Sequence, residues 1–342
     1  MQGKKMGRRL ARIAEAVVIG SLHLWSILAL YFWFNAHAGL AWVIAVGYVG
    51  LLWGIFKVAR SWNHGAAASL MLFAGTAVWW SGRGAEKGLA YPLETEQEAR
   101  INVDGSFITV SGIRDFHYRS GTDFDVRWST RTFDTAQLDH VDLFFNYQGV
   151  PQVAHLITSF HFKDQPPLAV SIGLRAERDE PRTFLRGFFK QYELHYLWAE
   201  ERDLIPVHTT HRMEKMYLYR TSLTPFQGSR LLMEMAERSN ALVDEPEFYN
   251  TLTDNCTNVI ARHIEHVMGV RQPWYRRPLL TGKYERIGYD LGWLLHTLPF
   301  EEHRAAASIR ARAVQAGDSA DFSDQIRNHL PTPVVAEQYP SR

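Results

Sequence analysis

The chain has a single cysteine, Cys256, in 342 residues. A lone thiol forms no internal disulfide, and without a Cys-x-x-Cys pair there is neither a dithiol redox motif nor a cysteine zinc site. What remains for it is a role as buried filler, intermolecular link or reactive group. Charge of one sign is missing too: 37 Lys and Arg against 36 Asp and Glu leave a net +1. No basic excess asks for nucleic acid, and no acidic tail suggests disorder or metal buffering. There is no Gly-x-Ser-x-Gly, no phosphate-binding loop and no Gly-x-Gly-x-x-Gly opening a βαβ unit, so no motif supports those readings and no cofactor is implied. His208-Thr209-Thr210-His211 and His263-Ile264-Glu265-His266 carry metal-like spacings. Neither comes with a full ligand set, and no metal is expected.

What is present is unevenly spread. Trp (11 residues) and aromatics in general (13 %) are abundant, and many of the Trp lie in the first 80 residues. Residues 17–34 and 40–56 are almost wholly apolar, each near the lower limit for crossing a hydrocarbon core of about 30 Å. A third stretch, 66–80, is shorter but ends in Trp79 and Trp80, as an interfacial aromatic belt would. Lys4, Lys5, Arg8, Arg9 and Arg12 precede the first stretch, Lys57 and Arg60 follow the second, and the connection 35–39 has no Lys or Arg. The positive-inside rule then predicts a cytoplasmic N-terminus, and three spans deliver the rest of the chain outside. The first apolar stretch is too long for a cleavable signal. The expected organisation is a membrane region over 1–82, a linker over 83–100, a domain over 101–280, and a helical segment with a loose tail over 281–342.

Beyond the linker, strand-like runs dominate at 106–110, 126–128, 141–147, 153–162, 168–174, 192–198 and 216–219. Lys163-Asp164-Gln165-Pro166-Pro167 is a turn signal that makes 153–174 a hairpin. Helices then take over: Thr224-Pro225 is a cap and first-turn pair, and Asp254-Asn255 introduces another helix that ends before Gly269. Strands first and helices later is an α+β pattern.

The chemistry centres on Asp254-Asn255-Cys256-Thr257-Asn258. Polar capping residues put Cys256 in the first turn of the helix, where free N–H groups and the positive end of the dipole favour the thiolate. The same groups suit a developing oxyanion. At 100° per residue Cys256, Val259, Ile260, His263 and Val267 share a face, so the thiol points to the core side. A cysteine nucleophile needs a base. His263 and His266 begin about 10 and 15 Å further along the same helix and do not reach it. The hairpin offers His155 and His161, six apart and so on one face of a regular strand; spacing alone leaves that choice open.

The stretch from about 115 to 268 resembles the Lnb N-terminal periplasmic domain family. The resemblance is carried by Phe124-Asp125-Val126-Arg127-Trp128, Val150-Pro151-Gln152-Val153-Ala154-His155, Ser159-Phe160-His161-Phe162, Ala169-Val170-Ser171-Ile172-Gly173-Leu174-Arg175, Glu201-Arg202-Asp203-Leu204-Ile205, Tyr217-Leu218-Tyr219, and most specifically Phe248-Tyr249-Asn250-Thr251-Leu252-Thr253-Asp254-Asn255-Cys256-Thr257. It implies a papain-like, NlpC/P60-like domain, an antiparallel sheet packed on the Cys-bearing helix; the three transmembrane helices read from hydropathy in front of it differ from a simple lipoprotein or signal-peptide form. It further implies a periplasmic thiol acyltransferase in the bacterial inner membrane that takes an acyl group from phospholipid or lipoprotein and passes it to an amine. Cys256 takes the nucleophile position and His155 the base position. The sequence departs from the family where His161 replaces a small residue and Gly173 an acidic one, which leaves Ser171 as the candidate for the third group. Asn255, Thr257, His161 and Arg175 are the candidate substrate contacts. The same site with water as acceptor would make a cell-wall amidase or peptidase, and without turnover a non-catalytic envelope protein.

Overall fold

The computed structural model describes residues 2–271, 278 and 280–330, without the side chains of 2–5 and 8. The expected tail beyond residue 330 lies outside the described residues. The chain divides into two compact units, Met1–Glu86 with Arg182–Tyr192, and Lys87–Pro181 with Glu193–Arg342.

In the first unit three helices, α1 (Gln2–Trp33), α2 (Ala38–Val58) and α3 (Trp62–Ser81), pack on one another. The basic N-terminal residues lie on the same helix as the first apolar run. Arg9–Trp33 and Asn35–Val58 are long and apolar enough to cross a membrane; α3 has 20 residues but does not reach the same apolarity. His23 Nδ1 and the Tyr48 hydroxyl, 2.8 Å apart, join α1 to α2. The segment 182–192 belongs here because Phe189 stacks on Phe32 at 5.1 Å and packs with Trp80. The Lys190 ammonium donates to the carbonyls of Trp80 and Arg83.

The second unit holds β1 (Arg100–Asp104), β2 (Phe107–Arg114), β3 (His117–Tyr118), β4 (Phe124–Asp125), β5 (Trp128–Asp134), β6 (Leu138–Tyr147), β7 (Ala154–Phe162), β8 (Leu168–Arg175), β9 (Glu193–Glu200), α4 (Glu201–Pro206) and β10 (Lys215–Arg220). It continues with α5 (Pro225–Asp244), α6 (Cys256–Val267), α7 (Tyr284–Asp290), α8 (Phe300–Ala307), α9 (Arg310–Ala316) and α10 (Phe322–Gln325). The main sheet runs β1-β2-β9-β8-β7-β6-β10, with β5 also on β2. It is mixed rather than antiparallel as expected, because β9 lies parallel to β2 through Arg114↔Ala199. The strand β1 falls at the end of the expected linker and pairs along its whole length with β2. A bulge between Ser111 and Ile113 seats Gly112 at φ +85°, where a Cβ would stand 3.1 Å from the Glu98 carbonyl.

Strand alternation divides the core between two faces. Leu143, Phe145, Leu156, Val170, Ile172 and Trp198 pack under α5 and α6. Phe144, Ile157, Ala169, Leu197 and Leu218 pack under α4, α9 and α10. Trp198 is fully buried and donates Nε1–H to Ser239 on α5 at 3.0 Å. The capping box of α5, Thr224 with Gln227, fixes where that helix starts. The result is three layers, with helices on both faces of one sheet.

Candidate active site

Asn255 caps α6: its Oδ1 accepts from the Asn258 N–H at 2.9 Å and its Nδ2 donates to the Thr251 carbonyl at 2.9 Å. Cys256 is therefore the first residue of the helix, in the turn whose N–H groups lack helical partners. It is 8 % exposed, so buried but not sealed.

The decisive geometry lies in the sheet. Pairing between β7 and β8 stops at Ile157↔Ser171, although β6–β7 pairing continues to Tyr147↔Ala154 and β8–β9 pairing to Arg175↔Glu193. The two central strands thus part beyond Ile157, and the backbone of Ala154 to Leu156 is released from the ladder on that side. The first turn of α6 fills the opening. The Thr257 hydroxyl donates to the Ala154 carbonyl at 3.4 Å, and the Cys256 thiol points at the same oxygen from 3.9 Å. His155 shares the parity of Ile157, which faces α4 and α9, whereas Leu156 faces α6. Only because the ladder is open can a thiol carried on one face meet an imidazole rooted on the other.

Cys256 and His155 lie close enough for each to shift the other's titration. Burial pushes the thiol up, but His155 outweighs it and brings it down to about 7. Burial likewise opposes a charged His155, yet the thiolate raises the imidazole above its ordinary value. The pair therefore favours thiolate and imidazolium together. With both ring nitrogens protonated, His155 Nε2–H donates to Ser171 Oγ at 2.8 Å, which orients the ring. A side chain at position 173 would meet the imidazole at 3.7 Å from Cε1; Gly173 leaves that side open.

The other candidates go elsewhere. The side-chain polar atoms of Asn255 and Thr257 are spent on the helix cap and on Ala154, so both shape the site rather than offer free groups to a substrate. Arg175 is 5 % exposed and grips the preceding segment, donating to the Thr95 and Glu96 carbonyls with its guanidinium over Tyr91. His161 lies six residues further along β7, about 20 Å away at ~3.3 Å per residue. There it meets Glu201 at 3.4 Å and Asp142 at 3.7 Å, and burial drives it down to about 4.

Among the described residues the group able to hold a metal by proximity is His140, Asp142 and His161. Arg220 and Arg327 already pair with Asp142 at 2.7 and 2.8 Å, which neutralises the carboxylate a cation would need. Three of the four His-x-x-His imidazoles are committed as well. His263 lies between Tyr196 and Glu234, His266 joins the same carboxylate, and His208 holds Glu214.

Sequence spacing passed over Asn146 and Glu214 and read His208 only as a metal candidate. Asn146 stands opposite His155 in the β6–β7 register. His208 lies with its ring centroid 6.3 Å from that of His155, and Glu214 joins His208 to Asn146. Asn146 is nine residues from His155 across the β6–β7 hairpin, His208 and Glu214 lie more than fifty residues further on, and no motif links the three.

Residues 124–281 match the Lnb N-terminal periplasmic domain. No curated protein and no solved structure matched the chain. The match takes in β4 to the end of α6 and stops at Thr281. Thr281 Oγ1 accepts from the Ala154 N–H at 2.9 Å, next to His155. The helices α7 to α10 lie beyond the match. A periplasmic domain family and two apolar N-terminal helices together fit a membrane-anchored protein.

Proposed function

We propose that the protein is a multi-pass inner-membrane thiol acyltransferase, with Cys256 as nucleophile, His155 as acid and base, and Ser171 as the group that orients the imidazole. The observation that carries this reading is the placement: the thiol on the first turn of α6, against the Ala154 carbonyl next to His155, whose ring Ser171 holds at 2.8 Å. A cysteine on the first turn of a helix packed on a sheet, with its histidine on a neighbouring strand, also supports the papain-like relationship.

The Cys256 thiolate attacks the carbonyl carbon of a phospholipid or lipoprotein ester. The first-turn N–H groups of α6 face the oxyanion. Collapse breaks the C–O bond, and His155 gives its proton to the departing alkoxide. An amine then attacks the thioester; His155 takes its proton, the C–S bond breaks, and the amide leaves with the thiolate restored. Membrane tethering suits a lipid donor because it raises the local concentration. Three crossings are part of the proposal: with a cytoplasmic basic N-terminus, only an odd number delivers a periplasmic domain, so α3 completes the set.

The test is mass spectrometry of the membrane-extracted protein, wild type beside Cys256→Ser and His155→Ala. A hydroxylamine-sensitive fatty-acyl mass on Cys256, absent from His155→Ala, is the expected result. A readily alkylated thiol that never carries an acyl group would transfer the site to a hydrolase, and an inert thiol would make Cys256 structural.

A further inference from the structure

Behind His155, away from the thiol, lies a compact polar group built by irregular backbone. Residues Val207–His211 form a π-helical turn after α4, a conformation that is rare and concentrated at functional sites. Two residues later Met213 sits at φ +55°, in the left-handed region that a long side chain seldom adopts. Together these turn His208 and Glu214 inward before β10 begins. Glu214 Oε2 accepts from Asn146 Nδ2 at 2.6 Å and from His208 Nδ1 at 2.7 Å. Asn146 Nδ2 also lies 3.0 Å from His208 Nδ1. Asn146 is the cross-strand partner of His155, so it ties His208 and Glu214 to the strand pair that carries the imidazole.

We propose that Glu214, clamped by His208 and Asn146, is a positioning residue for His155: a fixed carboxylate whose charge holds the imidazole in its protonated form against Cys256. The inference rests on the Cys256–His155 reading above and extends it to residues outside the reacting pair. Cys256 on α6 favours its charge, Glu214 favours it, and Arg212 opposes it. His208 is held neutral, driven by burial to about 4, so it passes on the position of Glu214 without adding a charge of its own. Glu214 itself stays ionised: burial raises it, but its hydrogen bonds to His208 and Asn146 pull it below the usual carboxylate range. Ser171 fixes the ring from the other side through Nε2.

The experiment is the pH profile of Cys256 alkylation by iodoacetamide, followed by mass spectrometry on the full chain in nanodiscs. Because the chain has one cysteine, the signal is unambiguous. Glu214→Gln keeps the shape and removes the charge, and should move the midpoint up by about one pH unit. Glu214→Asp keeps the charge and should return most of that shift. Arg212→Glu, at an exposed position, should move the midpoint down without disturbing the fold. An unchanged midpoint in Glu214→Gln, or equal shifts in the Gln and Asp variants, would overturn the proposal, because packing would then explain the group. If Glu214→Gln does not fold, an Arg212→Glu midpoint identical to wild type overturns it instead. The readout needs no acyl transfer, so a chain that never carries an acyl mass but shows these shifts refutes only the proposed reaction.

Discussion

At the scale of single residues, the site is governed by the balance between burial and one neighbour. Burial raises the Cys256 thiol and His155 lowers it, with a net result near 7. Removing His155 takes away most of what opposes burial, leaving only the Thr257 hydroxyl and the Leu156 backbone. His155→Ala should therefore move the alkylation midpoint from near 7 to above the ordinary value of about 9, and slow the reaction at pH 7 by ~100-fold or more. Iodoacetamide kinetics across pH measure both. This balance was partly legible in the sequence: polar capping residues before Cys256 predicted the helix N-terminus, and its family resemblance pointed to His155. Arg175 shows the opposite case. A charged residue at the end of a strand reads as a substrate contact, but whether a guanidinium is free depends on distant carbonyls, here those of Thr95 and Glu96.

At the scale of elements, the opened β7–β8 ladder must be held open by something outside the two strands. The turn at Thr281–Lys283 does this. Thr281 takes the Ala154 N–H, Gly282 N–H donates to the Gln152 carbonyl at 2.9 Å, and Tyr284 on α7 donates to Asn258 on α6 at 2.7 Å. One short segment so pins both the strand of His155 and the helix of Cys256. A Cβ at Gly282 would stand 3.0 Å from the backbone of Pro151 and Gln152. Gly282→Ala should thus push the start of β7 away, cost about 1–3 kcal/mol, and slow Cys256 alkylation. Thermal denaturation and the alkylation rate at pH 7 check the two effects. Alternation along β7 predicted its strand and its faces, but nothing in its sequence says where its neighbour parts from it.

For the whole molecule, buried neutral histidines set the response to acid. His161 and His208 are driven by burial to about 4 and His195 to about 3. Each has a folded value below its unfolded one, so the stability linked to it is present above about pH 6.5 and is lost as pH falls toward 4. The depressed Glu201, burial opposed and outweighed by Arg327, acts in the same direction at lower pH. His155, raised when folded, acts oppositely. The melting temperature of the full chain should fall steadily from pH 7 to pH 4.5, each unmatched proton contributing about 1.4 kcal/mol per pH unit. Calorimetry in a non-titrating detergent measures it, and a flat profile over that range would contradict the assignment of these histidines as neutral.

The sequence by itself determined the local matters: apolar runs near the N-terminus, strands by alternation, α5 and α6 by their caps, and a lone cysteine at a helix start. Those follow from neighbours a few positions apart, whose spacing sets periodicity and capping. Tertiary structure decided which strands sit together, including the parallel contact of β9 with β2. It also decided where β7 leaves β8, and it assembled Asn146, His208 and Glu214 behind His155. Each of these depends on at least one group dozens of residues away meeting the others in three dimensions, and no local pattern records such a meeting.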